Sequence, residues 1–270
     1  MVLSAQQAER YSRHFVLREI GVSGQKKLLG AKVLVIGAGA LGSSALMYLA
    51  SAGVGTIGIA DYDQVEVSNL QRQIIHRTDR VGMAKALSAQ QTLEAINPDV
   101  TVYPYPERIT PDNIQAIIGP YDFIIEGTDR FETKFLINDA CVLSHKPYSH
   151  AGVVRFGGQT MTYVPGQGPC LRCLLKTIPP NSESCSQAGV LGSVTGILGC
   201  IQATEAIKYV LGIGELLVGR LLLVDGLSMS MQEVDMGPAD VECRICGEQP
   251  TIPSVLENRK DYEINGCTIP

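Results

Sequence analysis

No tryptophan occurs among the 270 residues, aromatic side chains make up only 6%, and proline is modest at 14 residues. Charge is scarce as well: 18% of residues are charged against 45% hydrophobic, which excludes a disordered chain and gives the profile of a compact soluble protein. Positive charge is not in excess, since 27 acidic residues face 22 Lys and Arg for a formal net charge of -5. A global attraction to nucleic acid or to anionic membranes is thereby excluded, and any phosphate site has to be local. The N-terminus, MVLSAQQAERYSRHFV, carries charges where an export signal needs an apolar core, so a cytoplasmic location is expected.

Long hydrophobic runs are equally rare. The stretch Gln187 to Thr204 has no charge and contains the small-xxx-small pair Gly192 and Gly196 that membrane helices use. Ser, Thr and two Gln dilute it, and Glu205 and Lys208 continue the same helical pattern, so it reads as a buried helix and not as a membrane span. None of the four histidines has metal-ligand spacing to a partner, and there is no internal repeat or low-complexity segment.

What is present alternates. KVLVIG (Lys32 to Gly37) and TIGIAD (ending at Asp61) are continuous apolar runs of the kind buried parallel strands show, joined by a glycine turn and an apolar helix. Short helical pieces at 5–20 and 24–30 precede them. A helix is expected over Arg80 to Asn97, stopping at Pro98, then a third strand in VTVYPYP and a helix with Thr110 as N-cap and Pro111 at its first position. YDFIIEGTD follows as a fourth strand, and RFGGQTMTYV and GRLLLVDG as later ones. The expected fold is α/β, a Rossmann-like and mainly parallel sheet with helices on both faces, extended by further strands in the C-terminal half. We expect one domain over 1–250, with a nucleotide-binding half at about 30–150 and a second half at about 151–250, and a tail over 251–270.

Gly37, Gly39 and Gly42 form G-x-G-x-x-G between strand and helix, with Ala40 opening the helix. Without Cβ atoms the backbone turns tightly and approaches phosphate oxygens at a helix N-terminus. Asp61 ends the second strand, where an acidic residue binds an adenosine ribose in ATP and NAD sites alike; Asp63 follows it. A nicotinamide enzyme needs room for a second nucleotide, whereas an adenylating enzyme needs cations around a triphosphate, and Arg72 and Lys85 supply cations. Two C-x-x-C knuckles, Cys170 with Cys173 and Cys243 with Cys246, suit tetrahedral Zn²⁺, although the long interval between them leaves redox or free thiols open.

The run Ser68-Asn69-Leu70-Gln71-Arg72-Gln73, Lys85 in GMAKA, and Thr128-Asp129 after the fourth strand resemble the ThiF/MoeB/HesA family of ubiquitin-activating-like adenylyltransferases, from Arg10-Tyr11-Ser12-Arg13 through Cys243-Arg244-Ile245-Cys246. The resemblance implies that Asp61 holds the ribose, that Asn69, Arg72 and Lys85 surround the phosphates, that Asp129 positions Mg²⁺, and that Arg13 reaches the phosphates of a neighbouring subunit in a homodimer. It implies structural Zn²⁺ on the four knuckle cysteines. Two positions depart from the family: Arg130 stands where it usually has Asn, and Lys134 where an Arg is common.

By the same resemblance the reaction is ATP-dependent adenylation of the C-terminal glycine carboxylate of a small ubiquitin-like sulfur carrier ending in Gly-Gly, with pyrophosphate released. Arg155-Phe156-Gly157-Gly158-Gln159 is the expected lining of the slot for that tail, by strand addition. Cys185 lies in a polar Ser-rich loop, and both a sulfur-transfer role and a dispensable one stay open. Cys141 and Cys200 read as core and Cys267 as part of a mobile tail. The chain ends soon after the second knuckle, so the sulfur donor is expected to be a separate protein. Two alternatives remain: an NAD(P)-dependent oxidoreductase, and a non-catalytic carrier-binding subunit.

Overall fold

In a computed structural model, residues 2–177 and 188–262 are described. The five-residue apolar runs become β1 (Lys32–Ile36) and β2 (Thr56–Ala60), each with four buried residues in succession, as strands covered on both faces require. With β3 (Thr101–Tyr105), β4 (Phe123–Glu126), β5 (Tyr148–Val154), β6 (Gly157–Tyr163), β7 (Arg220–Asp225) and β8 (Ser230–Asp235) they form one sheet in the order β3-β2-β1-β4-β5-β6-β7-β8. Pairings from β3 through β5 are parallel and those from β5 through β8 antiparallel. The order reverses beside β1, which is where open α/β sheets leave a crevice at their carboxyl ends.

Helices α1 (Ala5–Arg10), α2 (Ser12–Phe15) and α3 (Gly21–Gly30) precede the sheet, and α4 (Ala40–Ala52) follows the glycine turn. The segment expected as one helix over Arg80 to Asn97 is helical only as α5, from Lys85 to Ile96. Its first residues turn instead through Gly82 at φ +87°, with Val65 N–H bonded to the Met83 carbonyl and Lys85 N–H to that of Asp63. Thr110 is not the N-cap of α6 (Ile114–Ile118); Asn113 is, and its side chain accepts the Thr110 N–H at 2.8 Å, closing a turn around Pro111.

Further along come α7 (Phe131–Leu143), α8 (Leu171–Leu174) and α9 (Gly192–Leu211). The charge-free stretch is indeed a buried helix, but α9 starts later and runs further than the expected Gln187 to Thr204. It packs on α4, where a Cβ on Gly199 would lie 2.2 Å from the Leu41 carbonyl oxygen, so that glycine serves close helix contact, whereas Gly196 has nothing within 4 Å of such a position. Among the described residues no helix is long and apolar enough to cross a membrane.

One core cluster lies on the α4, α5 and α9 side of the sheet, and a second on the α6 and α7 side. Ile252 and Val255 are buried in the second, at 1% and 0% exposure, and Tyr262 donates its hydroxyl to Asp139 at 2.7 Å. The described part of the expected tail is therefore packed against the body.

Candidate active site

Backbone sterics shape the mouth of the crevice. Gly37 adopts φ +101°, and a Cβ there would lie 2.7 Å from the Gly127 carbonyl oxygen; one on Gly42 would sit 1.9 Å from that of Gly37. Gly39, the N-cap of α4, faces open space apart from the Gln73 amide, so a ligand can approach its backbone. Two side chains hold the turn between them. Asp61 accepts the Ala38 N–H at 2.8 Å and the Asp63 N–H at 2.9 Å, and His76 Nε2 lies 2.9 Å from the Ala38 carbonyl. A carbonyl only accepts, so Nε2 carries the proton. Burial, helped by the Lys85 and Arg80 charges, pushes His76 down to about 4 and keeps it neutral; burial also raises Asp61, against the pull of Lys85.

These groups open on a cavity of about 870 Å³, lined by Gly37, Gly39, Ala40, Asp61 and Asp63, by Arg72, Lys85, Asp129 and Arg130, and by Gly152, Gly157, Gly158 and Gln159. Lys85, at the start of α5, is buried and donates to Asp63 at 3.0 Å. Arg72 is tethered by its guanidinium to the Ser68 carbonyl at 3.0 Å. Its turn fits closely against α9, since a Cβ on Gly192 would come within 3.2 Å of Arg72.

Asn69 bonds within its own turn. Its side chain accepts the Glu66 N–H and its carbonyl accepts the Arg72 and Gln73 N–H groups, so it shapes the turn that presents Arg72 and does not line the cavity. Gly42 likewise acts through packing and not by contact with the cavity. Arg13 is exposed on α2, outside the cavity. Cys185 and Cys267 lie outside the described residues.

Strand addition at Arg155 to Gln159 meets an obstacle. Gly157 to Gln159 pair with β5 on one side and β7 on the other, while Arg155, at φ +55°, bonds the Gly189 carbonyl and the Leu191 N–H. The backbone there is already paired and offers no open sheet edge; Gly157, Gly158 and Gln159 line the cavity.

Sequence reading overlooked Gln73, His76 and the polar floor. Gln73 lines the cavity, and its Oε1 has no hydrogen-bond partner among the described residues. Beneath the cavity Glu126 is fully buried with Lys134 at 2.9 Å and His150 at 2.7 Å. Burial alone would raise the Glu126 carboxyl, but the Lys134 charge and the His150 bond bring it down to about 2. No local pattern announces such a cluster, because its members come from β4, α7 and β5.

Far from the cavity mouth, the Sγ atoms of Cys170, Cys173, Cys243 and Cys246 all lie within 4.8 Å of one another, with 3.7 Å from Cys170 to Cys243 and 3.4 Å from Cys173 to Cys246. Four sulfurs at about 2.3 Å from a zinc ion define a tetrahedron with edges of about 3.8 Å, so the donor set and its spacing fit Zn²⁺. Four thiolates leave no open position, and the metal would tie the C-terminal segment to α8. Beside it Arg172 makes a bidentate pair with the buried Asp139, at 2.7 and 2.7 Å.

"Adenylyltransferase and sulfurtransferase MOCS3" of Anopheles gambiae is 42% identical over 97% of this chain and 59% of that protein, and its Bos taurus counterpart is 42% identical over 97% and 57%. The chain thus spans less than two thirds of the length of these relatives. Among solved structures, Escherichia coli MccB with MccA-N7isoASN superposes with a TM-score of 0.78 at 25% identity, covering 91% of this chain and 76% of that one. MccB with ATP gives 0.77 at 25% identity, over 88% and 74%. The ThiF family matches residues 11–245, nearly the whole described chain and every cavity residue named above, and the protein is a member of that family.

Proposed function

We propose that the protein is an ATP-dependent adenylyltransferase that activates the C-terminal glycine carboxylate of a small ubiquitin-like sulfur carrier as an acyl-adenylate, releasing pyrophosphate, for sulfur incorporation into a cofactor or metabolite. One observation carries this reading: a single cavity runs from the glycine turn and Asp61, past Arg72, Lys85 and Asp129, to a wall made of Gly152, Gly157 and Gly158. A nucleotide with its phosphates at the cations would lie beside a slot slim enough for a glycine tail. The MOCS3 relatives are named adenylyltransferases, and MccB has been solved with ATP and with MccA, which supports both halves of the cavity's use. A nicotinamide site would leave Arg72 and Lys85 without work.

In this reading the attacking carboxylate is already ionised at pH 7, so no general base is required. Arg72 and Lys85 stabilise charge on the phosphates as the bond to pyrophosphate breaks, from positions set by Ser68 and Asp63 before ATP arrives. Asp129 offers a hard oxygen ligand for Mg²⁺ in an open cavity, and the metal, when bound, neutralises phosphate charge. Arg13 reaches the cavity of a partner protomer in a homodimer, Cys185 serves sulfur transfer from a separate donor, and Zn²⁺ stays structural.

Lys85→Ala and Asp129→Ala are each expected to slow carrier-dependent ATP–pyrophosphate exchange by about 10²–10³-fold with little change in thermal midpoint. Unchanged exchange removes that residue from the reaction. Cys185→Ala spares exchange even where it blocks sulfur transfer, and thermal protection by NAD but not by ATP with Mg²⁺ would favour an oxidoreductase instead.

A further inference from the structure

The cavity floor holds a charged cluster that the roles above do not use. Glu126 ends β4 at 0% exposure, Lys134 lies in the first turns of α7 at 5%, and His150 sits on β5 at 2%. Charges removed from water this completely persist only with close partners. Lys134 Nζ donates to both Glu126 oxygens, at 3.1 and 2.9 Å, and to the Ala151 carbonyl at 2.7 Å. His150 Nδ1 is 2.7 Å from Glu126 Oε2; an ionised carboxylate only accepts, so that nitrogen carries the proton. On its other oxygen Glu126 accepts the Thr128 N–H at 2.7 Å and the Thr128 hydroxyl at 2.6 Å.

Lys134 borders the cavity, yet its ammonium is directed at the Glu126 carboxylate and at the Ala151 carbonyl. Glu126 grips Thr128, the residue immediately before Asp129. Lys134 also holds the carbonyl of Ala151, immediately before Gly152 in the cavity wall. From α9 the Gln202 amide donates to the carbonyls of Glu126 and Ser149, at 2.8 and 3.1 Å, and locks β4 to β5 at the same level. One buried carboxylate therefore couples the turn carrying Asp129 to the wall facing it.

We infer that Glu126, Lys134 and His150 form a positioning device that aims Asp129 into the cavity and sets its distance from the Gly152 wall, with Lys134 acting through Glu126 and Ala151. The consequence for turnover rests on the adenylation reading; the consequence for the Asp129 turn does not.

Glu126→Gln alone would strand the Lys134 charge inside the fold, so the informative variant is Glu126→Gln with Lys134→Met, which removes both charges at similar volume. It should melt close to the wild type while amide hydrogen exchange over residues 127–130 rises at least about tenfold and β1 and β2 stay protected. Exchange turnover should fall at least about tenfold with KM for ATP changed by less than about threefold, because Asp61 and the glycine turn are untouched. Glu126→Asp with Lys134→Arg shortens the acid and lengthens the base, and should bring turnover back to within about threefold of wild type. A Gln/Met variant with wild-type protection at 127–130 overturns the inference whatever the reaction, and one with wild-type turnover overturns the link to catalysis. A wild-type protein that exchanges with no carrier overturns the adenylation reading instead, and the amide measurement still decides this one.

Discussion

The parallel half of the sheet and the antiparallel half place their functional groups by different means. Around β1, β2 and α4 the key residues are neighbours in sequence or one βαβ unit apart: Gly37, Gly39 and Gly42 share one turn, and Asp61 pins it from 23 residues away. From β5 onward the partners are remote: Cys170 and Cys243 are 73 positions apart, and Arg172 reaches back 33 positions to Asp139. Local backbone shape suffices to build the glycine turn. The other half is held by remote partners: the Arg172–Asp139 ion pair, and four cysteines whose spacing fits a metal.

The largest effect should follow from cutting the metallic link. Cys170→Ser is expected to release zinc and lower the thermal midpoint sharply, since structural zinc is worth on the order of 10 kcal/mol in peptides. Metal analysis and a melting curve check this, and a wild-type protein free of zinc would erase the contrast between the halves. A smaller effect belongs to His76 in the parallel half. Its folded pKa of about 4 lies below the ordinary 6.5, so the unfolded chain binds more protons between those values. The contribution is complete above pH 6.5 and is lost as pH falls towards 4, by at most about 3 kcal/mol. His76→Gln should flatten that part of the stability profile; His150, also lowered by burial, leaves a remainder. An unchanged slope would mean that the glycine turn is held without His76. Smallest of all is the exposed pair between Arg220 and Glu233 across β7 and β8, at 2.9 Å. Glu233→Gln should cost less than about 1 kcal/mol by chemical denaturation.

The same contrast governs what could be read from the chain alone. β1, β2 and β4 announce themselves because strands buried on both faces are apolar throughout, and the glycine spacing and Asp61 mark the crevice between them. β5 was missed because Ser149 and His150 interrupt its apolar character; both are buried and satisfied by groups on other elements. β8 was missed because it is a polar edge strand, exposed along most of its length. Arg72 and Lys85 were legible as cations in an ordered set, whereas the duty of Lys134 was not, since only the fold brings Glu126 and Ala151 to it. Asn69, in the same run, bonds within its own turn.

Asp139 gathers Arg172 from the knuckle and Tyr262 from the far end of the described chain onto one carboxylate, above a socket filled by Ile252 and Val255. Anyone shortening the gene just past the second cysteine pair would uncover that greasy socket and unhook one of the carboxylate's donors. A minimal version therefore has to keep the chain through Tyr262 and not stop at the second knuckle.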